Sequence, residues 1–451
     1  MYYWMVLHHG GVPYLKVPQD KDKDDLYVKR NSTPECFQFM IEDLDHAISL
    51  LPAKIAGSSS DYGRIDQCFA KSWKAKTLLL KASPQFNPKR MYDNAYWKEA
   101  YVAAKEAYDF CVQNGIALTE NPADIWLQEK GPEVIFPVIY SNPNRVATWE
   151  YGTRPASVSR DKPYHNPTWE FVKDFPMLDG KRYDDPTGKY YVGDEQALLK
   201  AFWKNRDPRF NRACLYNGRE WPVAGRPADN RMYNALGVSN ADDQYGVNPN
   251  AGVNAANNDI FSGMYNYKVS DLSLTQDKVM TFDIDYILMR FAEVMFIYAE
   301  AANENGHSDV AIDLLKQIRK RAGINETSSN PEMKGKVYGL NPNMNQTEMR
   351  EAVREERFIE LLFEQKRLWD MRRWMIGKFP SNGQGKRHAL VMNKQADNTY
   401  TTYLFDRDNT PMITNQNIYF LPMKRSEMSN NPNLEQTKGW ENGTFDPQAG
   451  L

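Results

Sequence analysis

The chain of 451 residues lacks an excess of either charge: 56 basic residues face 58 acidic ones, for a formal net charge of −2. A protein that binds phosphate backbones gains affinity by neutralising them with clustered Lys and Arg, so nucleic acid is a poor partner for this composition. Cysteine is scarce. Cys36, Cys68, Cys111 and Cys214 form no C-x-x-C pair and have no histidine at metal-ligand spacing, so they read as small buried thiols. There is no long uncharged apolar run. The most apolar stretch, Tyr286 to Ala302, carries Arg290, Glu293 and Glu300, which lipid would not accept cheaply. Signatures of catalysis are missing too: no G-x-S-x-G, no H-E-x-x-H, no Walker loop and no G-x-G-x-x-G. Asp20, Asp22 and Asp24 begin like a calcium loop, but Asp25 stands where Gly is needed and Asn31 where Glu is needed. At the amino terminus no charged, apolar and cleavage regions of a signal are visible. Met1 to Leu7 instead reads as the middle of a helix, and the expectation is that further residues precede it.

What is present is an aromatic-rich, mostly helical pattern: 41% hydrophobic, 25% charged, with 26 Tyr and 11 Trp. Thr33-Pro34-Glu35 opens a helix with Phe37, Met40, Ile41, Leu44 and Ile48 on one face. Further helices are expected over about 67–82 and 97–113, and Glu133 to Ile139 reads as a strand. Helices are also expected over 286–303, around Ala311 to Ala322 (ended by Gly323), and over about 347–376. Hairpins of this size suit a tetratricopeptide-type scaffold, with Ala103, Ala104, Ala107, Ala299, Ala301 and Ala302 permitting close helix contact. Between the helical halves, 218–283 is largely Asn, Gly, Asp and Pro, and an irregular stretch of that length is usually functional surface. The expected organisation is a helical scaffold at 1–130, a loop-rich ligand-binding lobe at 131–283, and a helical region with a tail at 284–451.

Segments in order along the chain resemble the SusD/RagB family of nutrient-uptake proteins. They are Tyr2-Tyr3-Trp4 with Gly10-Gly11-Val12-Pro13; Gly63-Arg64 with Lys81-Ala82-Ser83-Pro84; Glu133 to Phe136; and Asn166-Pro167-Thr168 with Met177 to Gly180. They continue with Asn205 to Phe210; Leu288 to Val294; Arg354 to Arg357 with Arg367 to Asp370; and Leu421-Pro422-Met423 with Asn431 to Gln436. The resemblance implies a mainly α fold, a tetratricopeptide-like scaffold with an irregular ligand-facing lobe. It also implies a non-enzymatic protein of the outer-membrane surface that binds oligosaccharide and pairs with a SusC-like TonB-dependent transporter. The lipidated cysteine that anchors the family would lie upstream of Met1. No cofactor or metal is expected.

Sugar recognition needs flat apolar faces beside polar groups, which Tyr and Trp supply. The expected ligand residues are Arg145, Trp149 and Tyr151 in the loop after the strand, Tyr164 beside His165, and Trp221 and Tyr245 in the Asn/Gly-rich stretch. Trp149 reads equally well as an anchor packing its loop onto the scaffold. Trp169, Trp203, Trp369 and Trp374 read as core or scaffold. The charges at Arg290, Glu293, Glu300 and 354–357 read as ion pairs orienting helices rather than as a partner surface. A scaffold for a peptide partner, and a carbohydrate-active enzyme, remain the alternative functions.

Overall fold

The computed structural model describes residues 1–159, 165–225, 231–236, 262–325, 337–376, 386–408 and 419–451. The first helices are α1 (Tyr2–His9), α2 (Thr33–Leu50), α3 (Gln67–Ala82) and α4 (Tyr96–Gln113), followed by strand β1 (Val134–Val138). Three short helices follow: α5 (Trp169–Asp174), α6 (Glu195–Lys200) and α7 (Pro208–Ala213). Next come β2 (Cys214–Leu215), β3 (Tyr265–Asn266) and β4 (Tyr286–Arg290). The helices α8 (Phe291–Glu304), α9 (Ser308–Ala322), α10 (Gln346–Glu360) and α11 (Arg367–Arg373) precede a hairpin of β5 (His388–Lys394) and β6 (Tyr400–Asp406), and α12 (Arg425–Asn430) lies in the tail.

Local signals account for the helix starts. Ser32, one residue before the expected Thr33, caps α2 in a reciprocal box with Glu35, and Asn345 does the same for α10 with Glu348. Thr33 instead donates its hydroxyl to the Pro447 carbonyl (2.6 Å), tying α2 to the tail. Asp66 accepts from Phe69 N (3.0 Å) to begin α3. Gly323, in the left-handed region at φ 90°, ends α9.

Packing follows the small residues. Helix α3 packs on α4, α4 on α8, and α8 on α9 and α10. Ala104, Ala107, Ala299, Ala301 and Ala302 are all fully buried where these helices meet. Aromatic rings fill the wider gaps: Tyr108 stacks on Phe291 (5.3 Å) and Tyr101 on His307 (4.6 Å). The four cysteines are buried free thiols. Gly180 is required at its turn: its φ is +79°, and a Cβ there would come within 2.3 Å of the Tyr338 carbonyl oxygen.

Two expected helices are corrected. Residues 286–290 form a strand, antiparallel to β1 with Val134 opposite Arg290 and Val138 opposite Tyr286. A short apolar run does not by itself separate a buried strand from a helix, and the partner Val134–Val138 decides it. The second break divides the helix expected over 347–376. α10 stops at Glu360, Phe363 and Gln365 take φ near +59°, and α11 begins at Arg367. The freed carbonyls are claimed by cations from elsewhere. Lys268 Nζ donates to the carbonyls of Glu360 (2.7 Å) and Leu362 (3.0 Å), and Arg290 Nη2 donates to that of Glu360 (2.8 Å).

Of the charges read from sequence as ion pairs, all but the exposed Glu355 are paired among the described residues. Arg290, 1% exposed, binds Glu133 (2.5 Å), Glu360 (2.9 Å) and Glu364 (2.7 Å). Arg209 binds Asp207, Glu356 and Glu360. Arg321 joins Glu133 to Glu360, Arg319 holds Glu356, and Lys268 holds Glu364. A neighbouring set links Glu293 to Lys76 and Lys366, Arg357 to Asp370, and Arg373 to Glu300. Burial pushes the Glu293 and Glu360 carboxyls up, but their cations overcome it and hold both well below the usual carboxylate range. Charges this deeply buried stay only because each is paired.

Candidate functional site

An open cleft of about 800 Å³ lies between the α6–α7 segment and the β5/β6 hairpin. Its floor is built by alternating aromatics. Phe202 and Phe210 are fully buried, and against them sit the half-buried rings of Trp203 and Tyr216. Phe202 meets Trp203 edge-on (5.1 Å) and Tyr216 edge-on (5.3 Å), while Phe210 stacks on Tyr216 (5.8 Å). Trp203 and Tyr216 are therefore held nearly parallel, with an angle of 24° and centroids 6.2 Å apart. The hairpin adds Met392 and Tyr400 to the lining, the latter 37% exposed.

Polar groups line the same space. Asn211 comes from α7, and Asn217 and Arg219 from the turn after β2, which needs Gly218 at φ 80°. Asn217 Oδ1 accepts from the backbone N–H groups of Asn234 (3.0 Å) and Ala235 (3.1 Å). Arg219 donates to the Cys214 carbonyl and lies over the Tyr267 ring (4.3 Å). Burial lowers its pKa from the usual guanidinium value. At the exposed rim, Arg231 donates to the Gly218 carbonyl (2.7 Å) and stands 3.9 Å from Glu220. The arrangement offers flat ring faces with amide, guanidinium and carboxylate groups at their edges. It suits a ligand with apolar C–H faces and a belt of hydroxyls.

The residues expected from sequence fall elsewhere. Arg145, Trp149 and Tyr151 lie beyond β1. Trp149 is half-buried, its ring edge-on to Tyr140 (5.1 Å), Phe282 (5.5 Å) and Tyr286 (5.7 Å). Arg145 is exposed, with its guanidinium over the Tyr140 ring (4.6 Å). Tyr151 is half-buried, and its carbonyl accepts from Ser159 Oγ (2.5 Å). Nearby, Glu150 and Arg154 form an ion pair in the interior, where burial lifts the Glu150 carboxyl to about 7 against Arg154.

Trp221 is corrected. It has no exposed surface and packs with Val223, Met232, Tyr265 and Val391, so neither ring face is free for stacking. Its neighbours Glu220 and Pro222 line the cleft instead, where the chain turns at Pro222 with Val223 N donating to the Trp221 carbonyl (2.8 Å) and the indole on the inner side. Tyr164 and Tyr245 lie outside the described residues. The sequence reading missed Trp203, Tyr216 and Tyr400. Their signal was aromatic residues flanking the Asn205-Arg206-Asp207-Pro208 turn and opening the second hairpin strand, but no spacing rule distinguishes such rings from core. Trp169, by contrast, is fully buried as expected.

Similarity to known proteins follows the fold. A SusD-like protein of Bacteroides fragilis superposes with TM-score 0.73 at 22% identity, covering 97% of this chain and 77% of that one. A second structure from the same organism, described as a SusD-like carbohydrate binding protein, gives TM-score 0.67 at 19% identity over 96% and 77% of the two chains. SusD-like protein P2 of Formosa agariphila is 32% identical over 151 residues, which is 33% of this chain and about a quarter (26%) of that relative. Residues 132–440, more than half of the chain, match the model of the SusD family, and the chain belongs to that family.

Proposed function

We propose that this protein binds an oligosaccharide in the cleft lined by Trp203, Tyr216 and Tyr400. On this reading it holds the ligand at the outer-membrane surface for a SusC-like TonB-dependent transporter, as a lipid-anchored, non-enzymatic subunit. The observation that carries the proposal is the cleft: a near-parallel Trp203–Tyr216 pair braced by buried phenylalanines, sharing with Tyr400 the lining of about 800 Å³. Asn211, Arg219 and Arg231 supply hydroxyl partners beside those faces. Membership of the SusD family supports the reading, as does the solved relative described as carbohydrate-binding. Among the described residues no helix is long and apolar enough to cross a membrane, which accords with an anchor of another kind. Arg145, Trp149 and Tyr151 are proposed as a lesser surface, where an exposed guanidinium covers Tyr140.

The test is affinity electrophoresis of the purified chain through gels containing soluble plant, host or microbial polysaccharides, with Tyr400→Ala beside wild type. Retardation by one polysaccharide, weakened about tenfold in Tyr400→Ala, is the expected result. Retardation that Tyr400→Ala and Trp203→Ala both leave unchanged would overturn the cleft assignment.

A further inference from the structure

A second cavity, about 270 Å³, lies between residues 122–127, the end of α7 and the 267–273 loop. Its apolar walls are Ile125, Leu127, Ala213, Leu272 and Ile359, its charged edge carries Lys268 and Glu360 of the buried ion network, and Arg219 of the cleft sits over its Tyr267 ring at 4.3 Å.

Arg212 also lines this cavity. The buried ion network beside it is balanced: Arg209, Lys268, Arg290, Arg319 and Arg321 stand against Glu133, Asp207, Glu356, Glu360 and Glu364. Arg212 is one cation more. Its Nη1 is buried and has no hydrogen-bond partner, and no carboxylate of the described residues forms an ion pair with it. Asp271, which shares the lining, is turned to its own loop, accepting from Ser273 N (2.9 Å) and Oγ (2.7 Å). Burial lowers the Arg212 pKa, and the like charges of Arg321 and Arg209 add to that against Asp207 and Glu360. An anion in the cavity would relieve this.

We infer that this cavity is a binding site for a small apolar carboxylate, an aryl- or alkyl-carboxylic acid whose carboxylate pairs with Arg212 while its body fills the apolar walls. Arg212 as a whole is half-buried, but a buried guanidinium nitrogen left without a partner beside apolar surface is costly unless an acceptor completes it, and a planar carboxylate matches the guanidinium fork. The site is separate from the sugar cleft and does not depend on which polysaccharide, if any, that cleft takes.

The experiment titrates the full chain with 3-phenylpropionate and with its neutral amide, 3-phenylpropanamide, by calorimetry and ligand-observed NMR. The acid is expected to bind at least about tenfold more tightly than the amide, and Arg212→Gln to abolish that preference. Ala123→Trp, at an exposed wall position, keeps the guanidinium but fills the space, and is expected to block the acid even if Arg212→Gln does not fold. Failure of wild type to bind the acid, equal binding of acid and amide, or an unaffected Ala123→Trp would each overturn the inference.

Discussion

Two aromatic clusters, one around Trp149 that reads from sequence as a ligand surface and one around Trp203 that reads as core or scaffold, have different environments. Around Trp149, three rings meet the indole edge-on and Arg145 covers the adjoining Tyr140, so much of the surface is taken by its neighbours and only a lesser one is left. Around Trp203, the bracing rings lie behind, and the stacked Trp203–Tyr216 pair is left beside open space. The lesson is that aromatic content does not locate a stacking platform. What matters is whether the rings are satisfied by each other or by a wall on one side only. Trp221 shows the same from the interior, since its sequence neighbours reach the cleft while it is wholly buried.

The comparison can be broken at several points. The largest effect is expected in the buried ion network, where Arg290 ties the β1/β4 pair to the α10–α11 break. Arg290→Ala leaves Glu133, Glu360 and Glu364 without that partner and should cost about 3–5 kcal/mol in urea unfolding. Loss of less than about 1 kcal/mol would show that these charges are not the tie. Acid should attack the same network. Glu293 and Glu360 have folded pKa values held well below the ordinary 4.5, so their stabilisation is fully present above that value and is lost progressively as pH falls from there through the depressed folded values. The urea midpoint should therefore drop steadily below about pH 4.5, and a midpoint unchanged there would contradict the pairing.

Smaller effects separate the clusters themselves. Trp149→Ala should lower stability by about 2 kcal/mol, less than a fully buried tryptophan would, and leave polysaccharide affinity nearly unchanged. Tyr400→Ala should do the reverse. The residue is 37% exposed, so the melting temperature should hold while affinity falls by about tenfold, about 1.4 kcal/mol. If the two variants exchange roles, the assignment of the clusters is reversed.

Much of the scaffold was legible in the sequence because its signals are local. The spacing over 67–82 and the Gly323 stop define α3 and α9, and alanines at helix-facing positions foretold the close α4–α8 contact. Two failures have one cause: the partner is far away in sequence. Tyr286–Arg290 is a strand because of Val134–Val138, and the α10–α11 break is held open by Lys268 and Arg290. The site was legible only in kind. An irregular, aromatic-rich segment pointed to sugar, but which face of each ring is free depends on Phe202, Phe210 and a hairpin some two hundred residues away.

The most direct test of the account is calorimetric titration of wild type, Tyr400→Ala and Trp149→Ala with oligosaccharides cut from whichever polysaccharide retards the protein. The account predicts wild-type affinity for Trp149→Ala and about a tenfold loss for Tyr400→Ala, with both variants folded. Loss in Trp149→Ala with Tyr400→Ala unaffected would contradict it.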